Sequence, residues 1–255
     1  MTLRIVSAAD IDAVVGPTAA VDAMRIAFRG LSTGTANVPI RAHLDAGGGL
    51  VLLMPAHLGE SAGLGAKIVS VFPENPSSGL PAILGAVILL DAATGRPKAL
   101  LDGTRLTAIR TAAGSGLAVE LLADPAADVL AVFGAGVQGR SHVEIIAGTR
   151  RLAEIRIVSR SGASATALAE RLNARLETLV PPGADVEPPR VVAISDPTAA
   201  LRDAGIVIAA TTSTTPVFAS ADLEDGAHVS AVGSFRPDMQ EVYVCTLSAY
   251  IGKIF

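Results

Sequence analysis

The hydrophobic positions of the C-terminal half fall into short runs separated by stretches with helical spacing. Five mostly apolar runs predict buried strands, at residues 129–133, 155–158, 191–194, 206–210 and 228–232. Helices are predicted at 137–148, along a face formed by Leu168, Leu172, Leu176 and Leu179, and after the cap Asp196 with Pro197 at its first position. Short strands that alternate with helices form right-handed βαβ units, so we expect a parallel sheet.

The N-terminal half has a different pattern, with helices followed by clustered strands. The first 35 residues are predicted to be helical, because Ser7 and Asp10 form a capping-box pattern and Gly34 supplies a stop. Strands are predicted at 38–45, 50–54, 64–71 and 83–90, and a helix from the cap Thr104 to about residue 122 buries Leu106, Ile109, Ala113, Leu117 and Leu121. We therefore predict an N-terminal α+β domain (1–123), a parallel α/β domain (124–241) and an atypical tail (242–255).

Composition excludes several classes of protein. Half of the 255 residues are hydrophobic and 17% are charged, which is typical of a folded globular chain. The net charge of −4 lacks the positive field that nucleic-acid binding needs. No apolar run approaches the roughly 18 residues of a membrane-spanning helix. A single cysteine and four scattered histidines indicate neither disulfides nor a metal site, so we expect a cytoplasmic protein without nucleic-acid, membrane or metal partners.

Residues 134–139 read GAGVQG, a GxGxxG pattern between a predicted strand and a predicted helix. Gly134 permits a tight turn, Gly136 lets a pyrophosphate approach the backbone, and Gly139 allows the helix to pack closely on the strand. The free N–H groups at the start of the helix, at Val137 and Gln138, then face the phosphates. The pattern favours a dinucleotide site in a Rossmann-type doubly wound parallel sheet, with a purely structural glycine turn as the alternative.

The end of the next strand bears on which dinucleotide is bound. Ser159, Arg160 and Ser161 offer no carboxylate to a ribose hydroxyl, and the guanidinium can pair with a 2′-phosphate. NADP(H) is therefore favoured over NAD(H), unless Arg160 is merely exposed at a strand end. Loops after other strands at the same edge supply further candidates, although such residues often only cap helices. The predicted cofactor site thus also includes Thr211, Thr212, Ser213, Val232, Gly233 and Ser234, together with Thr111.

Two cations are predicted on apolar faces of neighbouring elements. Lys67 lies on a strand whose two faces are both apolar, so its ammonium is expected to be desolvated. Arg110 lies within the apolar stripe of a helix and has no carboxylate four residues away on either side. A substrate carboxylate would neutralise both, whereas the alternative for each is a snorkelling side chain or an ion pair made across the fold. Arg41 is a weaker candidate, because its strand face is otherwise polar.

Several runs of sequence together resemble the ornithine cyclodeaminase and mu-crystallin family. They are GLGAKIVSVFPEN (63–75), LLDGTRLTAIRTAAGSGLA (100–118), FGAGVQG (133–139) and AVGSFRPDMQEV (231–242), and the resemblance covers residues 1–242. It implies a Rossmann domain paired with a second domain that makes a homodimer and holds the substrate at the cleft. It also implies hydride transfer between a nicotinamide and the α-carbon of a small amino or imino acid.

By position, Arg41, Lys67 and Arg110 match the substrate-carboxylate cluster of that family, and the resemblance implies catalytic roles for Lys67 and Arg110. Such cations would hold the carboxylate so that the α-carbon lies against nicotinamide C4, and Lys67 would donate a proton if its pKa is lowered. The chain departs from the family at Tyr243, where the family pattern has an aspartate used as general base. The residues beyond it do not resemble the family, and we expect a truncated or frame-shifted product.

The resemblance implies, first, an NADP(H)-dependent reductase of cyclic ketimines such as pyrroline-2-carboxylate. One alternative is ornithine cyclodeaminase activity, in which bound NAD+ oxidises the α-amino carbon and ammonia leaves. Arg160 counts against that alternative, since a recycled NAD+ needs no 2′-phosphate site. A second alternative is a catalytically inactive protein that binds NADPH and a small ligand, which Tyr243 favours.

Overall fold

The computed structural model of the chain describes residues 2–59, 63–179, 187–234 and 236–249. The chain divides into two compact units between Arg110 and Thr111, inside a helix. The division of functional domains at residues 123 and 124 stays a prediction. Within the described ranges, no helix is both long and apolar enough to cross a membrane.

The first unit is built on a six-stranded sheet with the order β1-β6-β5-β4-β3-β2. Its elements are β1 (Arg4–Val6), α1 (Ala8–Val14), α2 (Pro17–Ser32), β2 (Ala42–Asp45), β3 (Leu50–His57), β4 (Leu64–Val71), β5 (Ile83–Leu90), β6 (Pro97–Asp102) and the start of α3 (Gly103–Leu122), with a short 3₁₀ helix at Asn75–Ser78. All neighbouring strands are antiparallel except β1 and β6. The capping box of Ser7 and Asp10 is confirmed, and it begins α1.

Short edge elements of this sheet differ from the sequence pattern. β1 lies in a stretch predicted to be helical, and it pairs in parallel with β6, a strand that the pattern missed. The strand predicted over 38–45 begins only at Ala42, and Ile40 is 96% exposed. Three- and four-residue strands are stabilised by the neighbour with which they pair, so local sequence carries little signal for them.

The ends of α3 also correct the prediction. The carboxylate of Asp102 accepts the backbone N–H of Arg105 at 2.7 Å, whereas the hydroxyl of Thr104 accepts the N–H of Gly85 at 3.0 Å. Asp102 therefore caps the helix, and Thr104 ties its first turn to β5. Leu121 is exposed, so the predicted buried stripe is wrong at its last residue.

The two faces of the six-stranded sheet have different surroundings. Val69 and Ala99 point to one face and are buried, as are Ile11, Val21 and Ile109 of the helices, so helices cover that face. The opposite face, which we call the outer sheet face, consists of exposed apolar side chains: Ile5, Leu44, Leu53, Ile68, Leu84 and Leu100.

The second unit is a parallel sheet with helices on both faces. Its elements are the rest of α3, β7 (Val129–Phe133), α4 (Val137–Thr149), β8 (Glu154–Val158), α5 (Gly162–Leu179), β9 (Arg190–Ala193), α6 (Pro197–Leu201), β10 (Ile206–Ala209), β11 (His228–Ala231) and α7 (Val244–Ala249), with a 3₁₀ turn at Ser220–Asp222. The strand order is β11-β10-β7-β8-β9, all parallel. This confirms the Rossmann-type doubly wound sheet, in which the order reverses between β7 and β10.

The core of this unit explains why its strands were predictable. Alternate side chains of the central strands β7 and β10 enter two apolar clusters, one holding Leu130 and Val132 of β7, the other Ala131 and Phe133. Strands that are buried on both faces need continuous apolar runs, which the sequence displays directly. The cap at Asp196 is likewise confirmed, since its carboxylate accepts the N–H of Thr198. Helix α7 lies in the tail and was not predicted.

Candidate active site

The glycine turn after β7 leaves no room for side chains at two of its three glycines. Gly134 has φ +116°, and a Cβ atom there would lie 2.3 Å from the carbonyl oxygen of Ala210. A Cβ on Gly139 would lie 1.9 Å from the carbonyl oxygen of Gly134. A Cβ on Gly136 would instead point into open space. The first and third glycines therefore serve packing, and the second keeps the approach to the backbone clear.

The start of α4 offers polar groups to a ligand. Gly136 is the residue before the helix and supplies no capping side chain, so N–H groups of the first turn lack a side-chain acceptor there. The side-chain oxygen of Gln138 is buried and has no hydrogen-bond partner among the described residues. An open glycine and N–H groups without a side-chain acceptor fit the pyrophosphate of a dinucleotide, whose oxygens would accept from the backbone. The side-chain oxygen of Gln138 is itself an acceptor and offers the pyrophosphate no hydrogen bond.

A buried histidine ties this helix to α3. His142 is fully buried, its Nδ1 lies 2.7 Å from the carbonyl oxygen of Gln138, and its Nε2 lies 3.0 Å from the hydroxyl of Ser115. A carbonyl only accepts, so Nδ1 carries the proton and Nε2 accepts the hydroxyl hydrogen. Burial lowers the pKa of His142 more strongly than the bond to Gln138 raises it.

The end of β8 adjoins the glycine turn, because the N–H of Gly134 donates to the carbonyl of Val158 at 2.8 Å. Beyond Val158, Ser159 donates its hydroxyl to the carbonyl of Ser161, which also accepts the N–H of Ser164 at the start of α5. Arg160 is exposed and has no ion-pair partner in the part of the chain that the structure describes. Its guanidinium is thus available to an anion beside the turn.

The loops that follow β10 and β11 meet at one side chain that the sequence did not single out. Oε1 of Glu241 accepts the N–H of Thr211 at 2.5 Å and its hydroxyl at 2.8 Å, and Oε2 accepts the N–H of Gly233 at 2.5 Å. The neighbouring predicted residues differ in exposure: Ser213 and Val232 are half-buried, and Thr212 and Ser234 are exposed. No spacing rule could have identified Glu241, since it reaches these loops only through the return of the chain.

Lys67 lies in the middle of the covered face of the first sheet. It stands opposite Met54 on β3 and Val87 on β5 and is partly buried. Burial, and then the charges of Arg110 and Arg41, lower its pKa from 10.5 to about 8. Lys67 is thus partly desolvated in the structure, as its sequence context predicts. Two further cations also lie close enough to repel its charge.

The two arginines are more open than the lysine. Arg41 is exposed and immediately precedes β2, whose first residue, Ala42, pairs with Leu53. Arg110 is also exposed as a residue, although enough protein surrounds its guanidinium to lower its pKa through desolvation. Among the described residues, no carboxylate forms an ion pair with any of these three cations, which makes them suited to an anion. We call Arg41, Lys67 and Arg110 the cation cluster.

The predicted site residues are thus distributed over both units. The cation cluster belongs to the first unit, and the glycine turn, the Ser159–Ser161 segment and the loops after β10 and β11 belong to the carboxyl edge of the second sheet. Thr111 lies on α3 and is partly buried. The convergence of these groups on one substrate stays a prediction.

The segment before the tail holds two residues of the resemblance. Asp238 is exposed and accepts from the guanidinium of Arg236 at 3.0 Å. Tyr243 is 46% exposed. Neither side chain is buried in the way that a shielded general base would be.

Comparison with known proteins identifies close likeness along most of the chain. The model of the ornithine cyclodeaminase/mu-crystallin family matches residues 3–249. A Δ1-pyrroline-2-carboxylate reductase of Bacillus cereus (strain ATCC 14579) is 35% identical over 242 residues, which are 94% of this chain and 71% of the relative. The match to another Δ1-pyrroline-2-carboxylate reductase of that species spans only 55% of the relative.

Two solved structures are similar in fold. The Δ1-pyrroline-2-carboxylate reductase of Thermococcus litoralis, in complex with NADH and L-proline, has a TM-score of 0.86 at 29% sequence identity. The aligned region spans 96% of this chain and 73% of the reductase chain. An archaeal alanine dehydrogenase dimer with bound NAD has a TM-score of 0.85 at 27% sequence identity. The aligned region spans 97% of this chain and 72% of the dehydrogenase chain.

Proposed function

Because the chain belongs to the ornithine cyclodeaminase/mu-crystallin family, we propose that it is a nicotinamide-dependent oxidoreductase that reduces cyclic ketimines such as pyrroline-2-carboxylate to the amino acid. The observation that carries the proposal is the cation cluster, in which Lys67 is partly buried and Arg110 and Arg41 act on its charge. Burial, and then these two charges, lower the pKa of Lys67 to about 8. Three neighbouring positive charges, one of them partly buried, are stabilised by an anion, and the carboxylate of an imino acid is such an anion. Relatives that are pyrroline-2-carboxylate reductases support the ring substrate.

In the proposed reaction, the residues of this chain hold the substrate and supply a proton. Arg41, Lys67 and Arg110 bind the carboxylate and so orient the imine carbon. A nicotinamide, if held at the glycine turn, would supply the hydride that this carbon receives. Lys67, whose pKa lies close to neutrality, donates a proton to the imine nitrogen, so that one hydride and one proton convert C=N to CH–NH.

We propose NADP(H) as the preferred cofactor. The support is the exposed guanidinium of Arg160, which forms no ion pair with the residues that the structure describes, at the end of the strand next to the glycine turn. A 2′-phosphate would pair with this group, and the adjacent Ser159 and Ser161 carry no carboxylate to repel it. The structures of relatives contain NADH or NAD, so the 2′-phosphate preference rests on Arg160 alone.

The outer sheet face supports a homodimer. Exposed apolar side chains of this face come from all six strands, and Ile68 near its centre is 45% exposed. Exposed apolar surfaces of this kind mark protein interfaces. We propose that a second copy of the chain covers this face, and the dimeric archaeal alanine dehydrogenase supports the proposal.

The test of the activity uses two assays on the purified chain. NADPH with pyrroline-2-carboxylate should lose absorbance as the nicotinamide is oxidised, and ornithine with NAD+ should release no ammonia. Lys67→Met should abolish NADPH oxidation, whereas Lys98→Met, on the other face of the sheet beside Asp91, should retain it. Ammonia release would favour the cyclodeaminase instead. Nucleotide binding with neither reaction would favour an inactive binding protein, the function that Tyr243 suggests.

A further inference from the structure

The carboxylate of Glu241 is the most completely enclosed acidic group at the carboxyl edge of the second sheet. The residue is 1% exposed. Three donors point at its two oxygens: the N–H and hydroxyl of Thr211, and the N–H of Gly233. Each oxygen thus accepts from the loop of a different strand, so one side chain joins the ends of β10 and β11.

These loops lie directly against the glycine turn. A Cβ on Gly134 would meet the carbonyl oxygen of Ala210 at 2.3 Å and the side chain of Thr211 at 3.4 Å. A Cβ on Gly233 would meet the carbonyl oxygen of Thr211 at 2.0 Å and the carboxylate of Glu241 at 2.6 Å. The turn, the two loops and the carboxylate therefore form a continuous row of contacts with no room for an added methyl group.

Backbone hydrogen bonds hold Glu241 in register with the first loop. The N–H of Gln240 donates to the carbonyl of Ser213 at 3.0 Å, and the N–H of Val217 donates to the carbonyl of Glu241 at 2.9 Å. The next residue, Val242, is buried in the same apolar cluster as Phe133 of β7. The segment 240–242 is thus anchored on both sides, and the carboxylate has a fixed position from which to bind the loops.

We propose that Glu241 is a positioning residue for the dinucleotide: its carboxylate fixes the loops after β10 and β11 and so holds the wall of the cofactor site against the glycine turn. This role rests on the proposed dinucleotide binding. Glu241 would contribute to that binding without touching the cofactor itself. Loops held in the binding geometry before the ligand arrives need not be ordered on binding, which increases affinity.

A carboxylate is required because all three partners are donors. An amide in its place would present one acceptor and one donor. If the amide oxygen accepts from Thr211, its NH₂ group faces the N–H of Gly233, and that loop is released. Glu241→Gln therefore keeps the shape of the side chain and removes its hydrogen bond to one of the two loops.

The experiment compares Glu241→Gln with a matched control. Glu154→Gln neutralises a less buried carboxylate of the same unit, which lies at the first residue of β8, at the opposite edge of the sheet, and binds Arg156 and Arg190. Affinity for NADPH is measured by calorimetry, thermal unfolding monitors stability, and amide hydrogen exchange is followed by NMR at Thr211 and Gly233. We expect Glu241→Gln to weaken NADPH affinity about tenfold and to accelerate exchange in the loops, while Glu154→Gln changes the affinity by less than about twofold.

The outcomes separate the two claims. If the wild-type protein binds neither NADPH nor NADH, the proposed function is wrong and the positioning role with it. If the wild-type protein binds and Glu241→Gln binds equally well, the positioning role alone is wrong. Should Glu241→Gln not fold, exchange in the free wild-type protein decides: amides of Thr211 and Gly233 that are protected as well as those of β10 support the proposal, and unprotected ones overturn it.

Discussion

Replacing Lys67 with arginine keeps a positive charge in the cation cluster but removes the group that titrates near neutral pH. Burial and the charges of Arg110 and Arg41 lower the lysine pKa to about 8. An arginine stays protonated at every pH at which the protein folds. The pair of proteins therefore isolates the contribution of this one proton to the binding of a small carboxylate.

The size of the effect follows from the pKa. With a value of about 8, about nine tenths of the Lys67 side chains carry a charge at pH 7 and about one tenth at pH 9. Because the lysine pKa is lowered, the cation is present below pH 8 and is lost as the pH rises through that value. If only the charged lysine holds the carboxylate, affinity falls about tenfold between pH 7 and pH 9.

The assay is calorimetric binding of L-proline, the proposed product, to the complex with oxidised nucleotide at pH 7, 8 and 9. The wild-type protein should lose affinity with rising pH, and Lys67→Arg should bind with a nearly constant affinity. Lys67→Met should bind weakly at every pH. Lys98→Met, which alters a lysine that is paired with Asp91, should reproduce the wild-type profile.

Two results would refute this reasoning. A wild-type profile that is flat from pH 7 to 9 would mean that Lys67 is not the group that meets the carboxylate, or that its pKa is not lowered. An unchanged slope in Lys67→Arg would assign the titration to another residue. Either result would remove the main support for the proposed substrate class.

The remaining predictions concern the glycine turn, the cofactor, the interface and acid stability. Gly139→Ala should lower the melting temperature, since its Cβ would meet a carbonyl oxygen at 1.9 Å, whereas Gly136→Ala should keep the melting temperature and lose NADPH affinity; equal melting temperatures of the two would contradict the packing argument. Arg160→Glu should weaken NADPH binding at least about tenfold and leave NADH binding within about twofold, as measured by calorimetry; parallel losses would remove the 2′-phosphate contact. Ile68→Asp should convert a dimer to a monomer in light scattering, and an unaffected dimer would exclude the outer sheet face as the interface. The lowered pKa of His142 means that the unfolded chain takes up the proton first, so stability should fall as the pH drops below about 6.5, and His142→Gln should show a smaller fall in urea unfolding.

Prediction from sequence succeeded best where side chains are buried on both faces of a sheet. The strands β7 to β11 stand within one residue of their predicted bounds. The central strands β7 and β10 are continuous apolar runs, and each of the other three combines apolar residues with one or two polar ones. Prediction failed at β1 and β6, because these strands are stabilised by pairing with each other and, for β6, with β5. The helix cap at Asp102 was also missed, since Thr104 has the better local pattern and its hydroxyl is used by β5.

The sequence by itself determined the doubly wound sheet and the glycine turn, and it pointed to Lys67 as a partly desolvated cation. These properties depend on local periodicity and on the side-chain chemistry of single residues. Only the tertiary structure decided which charges act on one another. Arg41 and Arg110 lower the pKa of Lys67, and Glu241 accepts hydrogen bonds from Thr211 and Gly233. The residues in these pairs are 8 to 43 positions apart in the sequence. Such distances in sequence are closed by the folding of the whole chain, and no local pattern records them.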